Sequence, residues 1–340
     1  MTPDQISARE EREMRRIFLD AVQDIKDQAT ISQLTRLIEQ NDIDGVIELL
    51  GLDRSAFQSL ADAIRDDYQL GGVFTADALS PIPVNGNNVA FRFDMQSPET
   101  IQWLLVNSSQ FITEIVEDQR QAVRQTLAEL TDQGVNPRTQ ALDLVGRVDQ
   151  NTGRRTGGIV GLTSQQAQWS VNARNELETL NANYFTRQLR DKRFDGQIRR
   201  AMETGDSIPA RTIDAAISRM QDRTLKYRGD VIARTESINA LRAGQFQAML
   251  DAVDRGRITT NDAQGTWDAT GDARTREDHL MMEGQRRTLS QPFVSGSGAQ
   301  LRYPGDTLLG ATGKDTIQCR CRVEWKINFI GRSRTIQGFR

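Results

Sequence analysis

His279, Cys319 and Cys321 are the only histidine and the only cysteines in this 340-residue chain. The run Ile317-Gln-Cys319-Arg-Cys321-Arg-Val323-Glu-Trp325 alternates as a half-buried strand does. On such a strand residues two apart share a face, so both thiols would meet one ion while Arg320 and Arg322 face the other way. One imidazole and two thiolates supply three soft ligands for zinc, with a fourth from Asp, water or elsewhere. The competing reading is inert packing, with two small buried thiols on a core strand and a histidine hydrogen-bonded beside them. A third reading places catalytic zinc at these residues with Glu236 or Asp272 as base, which would make a metal-dependent nuclease or hydrolase.

Arginine supplies the second candidate chemistry. Lysine occurs at only five positions (Lys26, Lys192, Lys226, Lys314 and Lys326), so 38 of the 43 basic side chains are planar guanidinium forks suited to phosphate and carboxylate. Arg219, Arg223 and Lys226 stand at i, i+4, i+7, and Arg187, Arg190 and Arg193 at i, i+3, i+6, both helical spacings. Rows of this kind track phosphates in a salt-dependent way. They serve equally as solvated faces paired with Asp191, Asp195, Asp222 and Asp230. Arg234-Thr235-Glu236 lies in an apolar-flanked helix, where an arginine and a glutamate form a buried ion pair that fixes helix register.

Several function classes are excluded. There is no Walker-type phosphate loop, no GxGxxG after a strand and no GxSxG around any serine, so the chain is not an ordinary nucleotide or acyl-transfer enzyme. A Cys-x-Cys pair cannot staple a chain of this length, which points to a reducing, aqueous compartment. The charged Met1–Arg16 segment has no signal-peptide core, and the uncharged stretch Thr156–Ala173 is too rich in Gly, Ser, Gln and Asn to span a membrane. Residues 1–170 hold 15 Lys+Arg against 25 Asp+Glu, and residues 171–340 hold 28 against 21. An acidic front and an arginine-rich back suit two different partners.

The elements that must position these residues are mostly helices. Residues 5–70 read as short helices, with Asp53 as N-cap for the run Ala56, Phe57, Leu60 and Ile64. Pro81-Ile-Pro83 and Asn85-Gly86 mark a loop with a hairpin, and Val89–Phe93 alternates like a short strand. Ser97-Pro98-Glu99 opens a helix, and Thr163-Ser-Gln-Gln166 is a capping box. Punctuation falls at Gly134–Pro137, Gly153–Gly161, Gly205–Pro209 and Gly229, which leaves a last helix over about Asp230–Asp254. Beyond residue 258 glycines crowd in, and helical periodicity survives only around Arg274–Glu283. The expected fold is mainly α: elongated helical N-terminal and middle regions followed by a small α+β C-terminal domain. Its divisions are an acidic helical region over 1–95, an arginine-rich helical region over 96–229, and a final domain over 230–340.

Ile232-Ala-Arg234-Thr235-Glu236, Trp267-Asp-Ala-Thr270, Asp272-Ala-Arg274-Thr-Arg276-Glu-Asp-His279, Gly284, Phe293, Tyr303-Pro304-Gly305-Asp306 and Cys319-Arg320-Cys321-Arg322 follow one another in a distinctive order. Together they resemble the Mu F-like phage head morphogenesis family, the minor head proteins of tailed phages. The likeness covers about residues 230–325 and extends less distinctly over 155–230. It implies a non-enzymatic minor capsid component inside the virion, bound to the portal protein and touching packaged double-stranded DNA, with the major capsid protein as a further partner. Head assembly and genome delivery would be its roles, without contact with a membrane while in the head. The resemblance makes Trp267, Asp272, His279, Cys319 and Cys321 scaffold residues, with Asp272 and Arg274 or Arg276 fixing a loop. Some relatives carry toxin or nuclease domains beyond the Cys-Arg-Cys stretch; the residues after Trp325, with Arg332, Arg334 and Arg340, are too few for one.

Overall fold

The structure, a computed structural model, describes residues 1–79, 82–84, 87–329 and 332–340. Helices α1 (Pro3–Gln28), α2 (Ile31–Glu39), α3 (Ile43–Leu49) and α4 (Gln58–Leu79) come first, followed by the hairpin β1 (Ile82–Val84) and β2 (Asn87–Val89). Next are α5 (Pro98–Asp132), α6 (Pro137–Val145), the short pair β3 (Arg147–Val148) and β4 (Arg155–Thr156), α7 (Ser164–Glu178) and α8 (Asp195–Thr204). The 45-residue α9 (Ala210–Asp254) leads into β5 (Ala263–Asp268), α10 (Glu277–Leu280), β6 (Arg286–Thr288), β7 (Phe293–Val294) and β8 (Gln300–Leu301). Last come α11 (Gly313–Thr316), β9 (Arg322–Phe329) and β10 (Arg332–Ile336). The fold is mainly α with a small sheet-bearing C-terminal region, as the sequence predicts. No helix among the described residues is long and apolar enough to cross a membrane.

Local chemistry accounts for the helix starts. Thr163 accepts from the Gln166 amide at 3.1 Å while the Gln166 side chain accepts from the Thr163 amide at 3.1 Å, the reciprocal box expected there. Ser97 Oγ accepts from the Thr100 amide at 3.2 Å, with Pro98 in the first turn of α5. Asp53 caps the 3-10 turn Arg54–Phe57 rather than α4 itself. The hairpin falls where Pro81-Ile-Pro83 and Asn85-Gly86 predict it; Pro81, Asn85 and Gly86 lie outside the described residues.

Three expectations are corrected. Gly229 does not break the last helix, which begins at Ala210; one interior glycine costs about 1 kcal/mol, which the flanking turns and burial of that face outweigh. Val89–Phe93 is not one strand: pairing stops at Val89, and Phe93 lies against Tyr68, with ring centroids 5.8 Å apart. The Cys-x-Cys stretch precedes its strand. Gln318 adopts a left-handed φ of 54°, and pairing begins only at Arg322, although alternate burial does run from Cys319 to Trp325.

The chain forms two compact units. The first gathers Met1–Arg15, Leu60–Gln110 and Asp230–Arg340. Its antiparallel sheet runs β10-β9-β5-β6, with Ala263 opposite Ile327 and Trp267 opposite Val323. Trp267, Val323, Trp325 and Ile327 are buried. Tyr68 stacks on Trp103 at 4.7 Å, the Trp103 indole donates to Tyr303 Oη at 3.3 Å, and Phe246 lies against Tyr303 and Trp325. Helices α4 and α9 touch backbone to backbone: a Cβ on Gly244 would lie 1.9 Å from Tyr68 O, and one on Gly71 would lie 1.9 Å from Leu241 O.

The second unit comprises Arg16–Ser59 and Phe111–Gly229. Leu177, Tyr184, Ile198, Ile213, Ile217 and Met220 make a core among α7, α8 and the first half of α9. The uncharged segment beginning at Thr156 runs through this unit, latched by polar side chains. Gln119, Gln221 and Asp222 accept from the amides of Gly161, Gly158 and Gly157, while Arg228 and Lys26 donate to the carbonyls of Gly161 and Gly157. Burial lowers the Lys26 ammonium to about 8.

Candidate metal centre

His279 sits in the single-turn helix α10, whose amide at His279 donates to Arg276 O at 3.0 Å. Its Nδ1 lies 3.5 Å from Cys319 Sγ and 3.5 Å from Cys321 Sγ. The three donor atoms fall within 4.8 Å of one another, and the residues are 1–3% exposed. Among the described residues this is the grouping of His, Cys, Asp and Glu that could hold a metal ion. The edge of Trp267 meets the imidazole, with ring planes at 90° and centroids 6.0 Å apart. His279 Nε2 is buried without a hydrogen-bond partner. Contacts with Cys321 and His279, together with the charge of Arg242, make Cys319 the more readily ionised thiol.

The cysteines are held by α9 and by the loop before α10. Thr235 Oγ1 accepts from the Gln318 amide at 3.1 Å, which supports the left-handed residue directly before Cys319. Arg242, seven residues further along α9, is buried and donates to four carbonyls: Phe339 at 3.0 Å, Pro304 at 3.1 Å, Cys319 at 3.3 Å, and Cys321. Its guanidinium therefore positions both cysteine backbones from one side while its charge lies near both thiols. Arg320 and Arg322 point elsewhere, as alternation predicts: Arg320 forms a fork with Asp272, and Arg322 pairs with Asp268 at 2.6 Å.

Asp272 fixes a loop with the expected Arg274, and with Arg320 as a closer partner that the sequence did not suggest. Arg320 binds it with two nitrogens, while Arg274 gives its backbone amide at 3.0 Å and a guanidinium nitrogen at 3.9 Å. The Arg276 guanidinium goes to Ile317 O instead. The fork is satisfied because Arg320, between the two cysteines, has a fixed backbone while Arg274 is 79% exposed. Arg320 holds the Asp272 carboxyl well below the usual carboxylate range.

Arg234 pairs with Glu11 of α1 at 2.9 Å rather than with Glu236, because residues two apart on a helix do not face each other. The pair is partly exposed, not buried.

The arginine rows fare differently. Arg187, Arg190 and Arg193 share no helix: two 3-10 turns, Ala182–Thr186 and Lys192–Phe194, flank irregular chain. Arg187 forks onto Glu176 and Arg190 onto Asp195, both largely buried, while Arg193 pairs with Asp191 and is 73% exposed. Arg219, Arg223 and Lys226 do lie exposed along α9, and Arg223 pairs with Asp191 at 3.3 Å.

Sequence reasoning missed Arg242 and Arg228, two buried guanidinium groups. The signal was present for Arg242, which stands between Ala240-Leu241 and Ala243-Gly244 in a stretch with no acidic residue between Glu236 and Asp251.

Residues 192–324 match the family model described as Phage Mu protein F like protein. Neither the curated proteins nor the solved structures contain a match to the chain.

Proposed function

We propose, proceeding from the membership of residues 192–324 in the Phage Mu protein F like family, that this chain is a phage head morphogenesis protein and a component of the virion. In finer detail it is a minor capsid protein at the portal vertex inside the head. There it contacts the portal protein and the major capsid protein, touches packaged double-stranded DNA and supports head assembly and genome delivery. It acts by binding, without catalysis. The observation that carries this reading is the family match, which spans α8, all of α9, β5 and the cysteine stretch.

The exposed cations favour the DNA contact. Arg219, Arg223 and Lys226 share one face of α9, and Arg193 is exposed beside Asp191, which also pairs with Arg223. Cations so arranged hold phosphates without reading bases. Arg187 and Arg190 commit their donors to Glu176 and Asp195, which reduces the phosphate-facing set.

The test is co-expression with the portal protein of the same genome, followed by native mass spectrometry of the purified ring. A defined number of copies per ring is the expected result. Absence of association at low and moderate salt would remove the portal reading. DNA cleavage lost in both Cys319→Ser and Glu236→Gln variants of folded protein would replace it with the hydrolase.

A further inference from the structure

We propose that His279, Cys319 and Cys321 bind one zinc ion as a structural site, with His279 Nδ1 and the two thiolates as protein ligands and a non-protein fourth ligand. The geometry distinguishes this from packed thiols. A neutral imidazole nitrogen offers one lone pair and can accept from one thiol, yet Nδ1 stands 3.5 Å from both sulfurs. Tetrahedral coordination with Zn–N near 2.0–2.1 Å and Zn–S near 2.3 Å places N and S about 3.5 Å apart. The three atoms are therefore already spaced as ligands of a shared ion, within a mutual span of 4.8 Å.

Charge supports the same conclusion. Two thiolates and a neutral histidine cancel a divalent cation, so the site adds no net charge to a core in which its residues are 1–3% exposed. Arg242 lies behind the ligands, donating to Cys319 O and Cys321 O, and so fixes both cysteine backbones from one side. Thiolate and imidazole together select zinc over magnesium or calcium, which take oxygen ligands. Binding releases the two thiol protons to solvent and involves no redox step. The low exposure of all three residues makes the site structural, because a hydrolytic zinc needs an open position that substrate can reach.

The site closes a loop structure around the buried Trp267, Met282, Phe293 and Leu301. It joins α10 to the residues entering β9 across 40 positions of sequence, beside Trp267 of β5. The proposal does not depend on portal or DNA binding.

The experiment uses the full chain. Protein from zinc-supplemented medium is expected to contain about one zinc per chain by elemental mass spectrometry. Apo protein prepared with a chelator should melt at lower temperature and recover on adding zinc chloride. Cobalt(II) added to apo wild type should give the intense visible bands of a tetrahedral site and a thiolate-to-cobalt charge-transfer band. His279→Ala should weaken those bands, and Cys319→Ser should remove most of the charge-transfer intensity. The cobalt spectrum is read on wild type, so variants that fail to fold leave the test intact. Folded protein free of zinc, with an unchanged melting temperature and an octahedral cobalt spectrum, would overturn the proposal.

Discussion

Asp67, on α4, is 4% exposed, and burial pushes its carboxyl up to about 8; Glu10 and Asp66 add to the shift and Arg9 opposes it. The sign of its effect follows from proton counting. Below about pH 4 both folded and unfolded chains are protonated at this residue, and it contributes nothing. Between about pH 4 and 8 the unfolded chain has lost a proton that the folded one retains, so stability falls as pH rises. Asp67→Asn removes that dependence. We expect the variant to be more stable at pH 7 by about 1–3 kcal/mol, with a flatter profile between pH 5 and 8 in urea denaturation. Superimposable profiles for variant and wild type would show that Asp67 ionises normally. The sequence hides such a residue, because Arg65-Asp66-Asp67 reads as an ordinary solvated face. His279, Cys319 and Cys321 were legible for the opposite reason: rare residue types need no context to stand out. Arg242 was lost among 38 arginines, and only its small apolar neighbours set it apart.

At the scale of elements, helix starts could be read because capping is local: Ser97 accepts from Thr100 and Thr163 from Gln166, each three residues along the chain. Helix continuity could not, since Gly229 is kept helical by turns on both sides rather than by its own preference. The strand entering at Arg322 misled through its alternation, which reports burial and not pairing. The same division between local and distant causes governs the α4–α9 crossing. Gly244→Ala places a methyl group against the backbone carbonyl of Tyr68, an atom that cannot step aside. A loss of about 1–3 kcal/mol is expected in chemical denaturation. Gly196→Ala, also helical but with open space around its Cβ, should instead be neutral or stabilising by up to about 1 kcal/mol.

At the scale of the whole molecule, the opposition between an acidic front and an arginine-rich back does not survive folding. The first unit holds 21 Lys+Arg and 23 Asp+Glu, and the second 22 and 23, because each draws on both halves of the chain. Glu11 answers Arg234 and Arg15 answers Asp230, so acidic and basic segments neutralise one another at close range. The proposed DNA contact would then have to come from a local set of cations rather than from a charged body. With Arg219, Arg223 and Lys226 replaced by glutamine, the slope of log affinity against log salt should shrink by about 2–3 on a generic duplex between 50 and 200 mM salt. An unchanged slope would show that this face of α9 does not meet phosphate.

The interleaving of the units also sets an order in time. Residues 16–59 and 111–229 supply the second unit entirely, so it can close while the remainder is still being translated. The first unit must wait. Gly71 meets Leu241, and the guanidinium of Arg242 meets the carbonyl of Phe339. At ordinary translation rates the roughly 170 residues between Gly71 and Leu241 take about 10–30 s to emerge. For that interval the apolar face of α4 waits on the ribosome without its partner, and it is the surface that a chaperone or a neighbouring nascent chain would meet first.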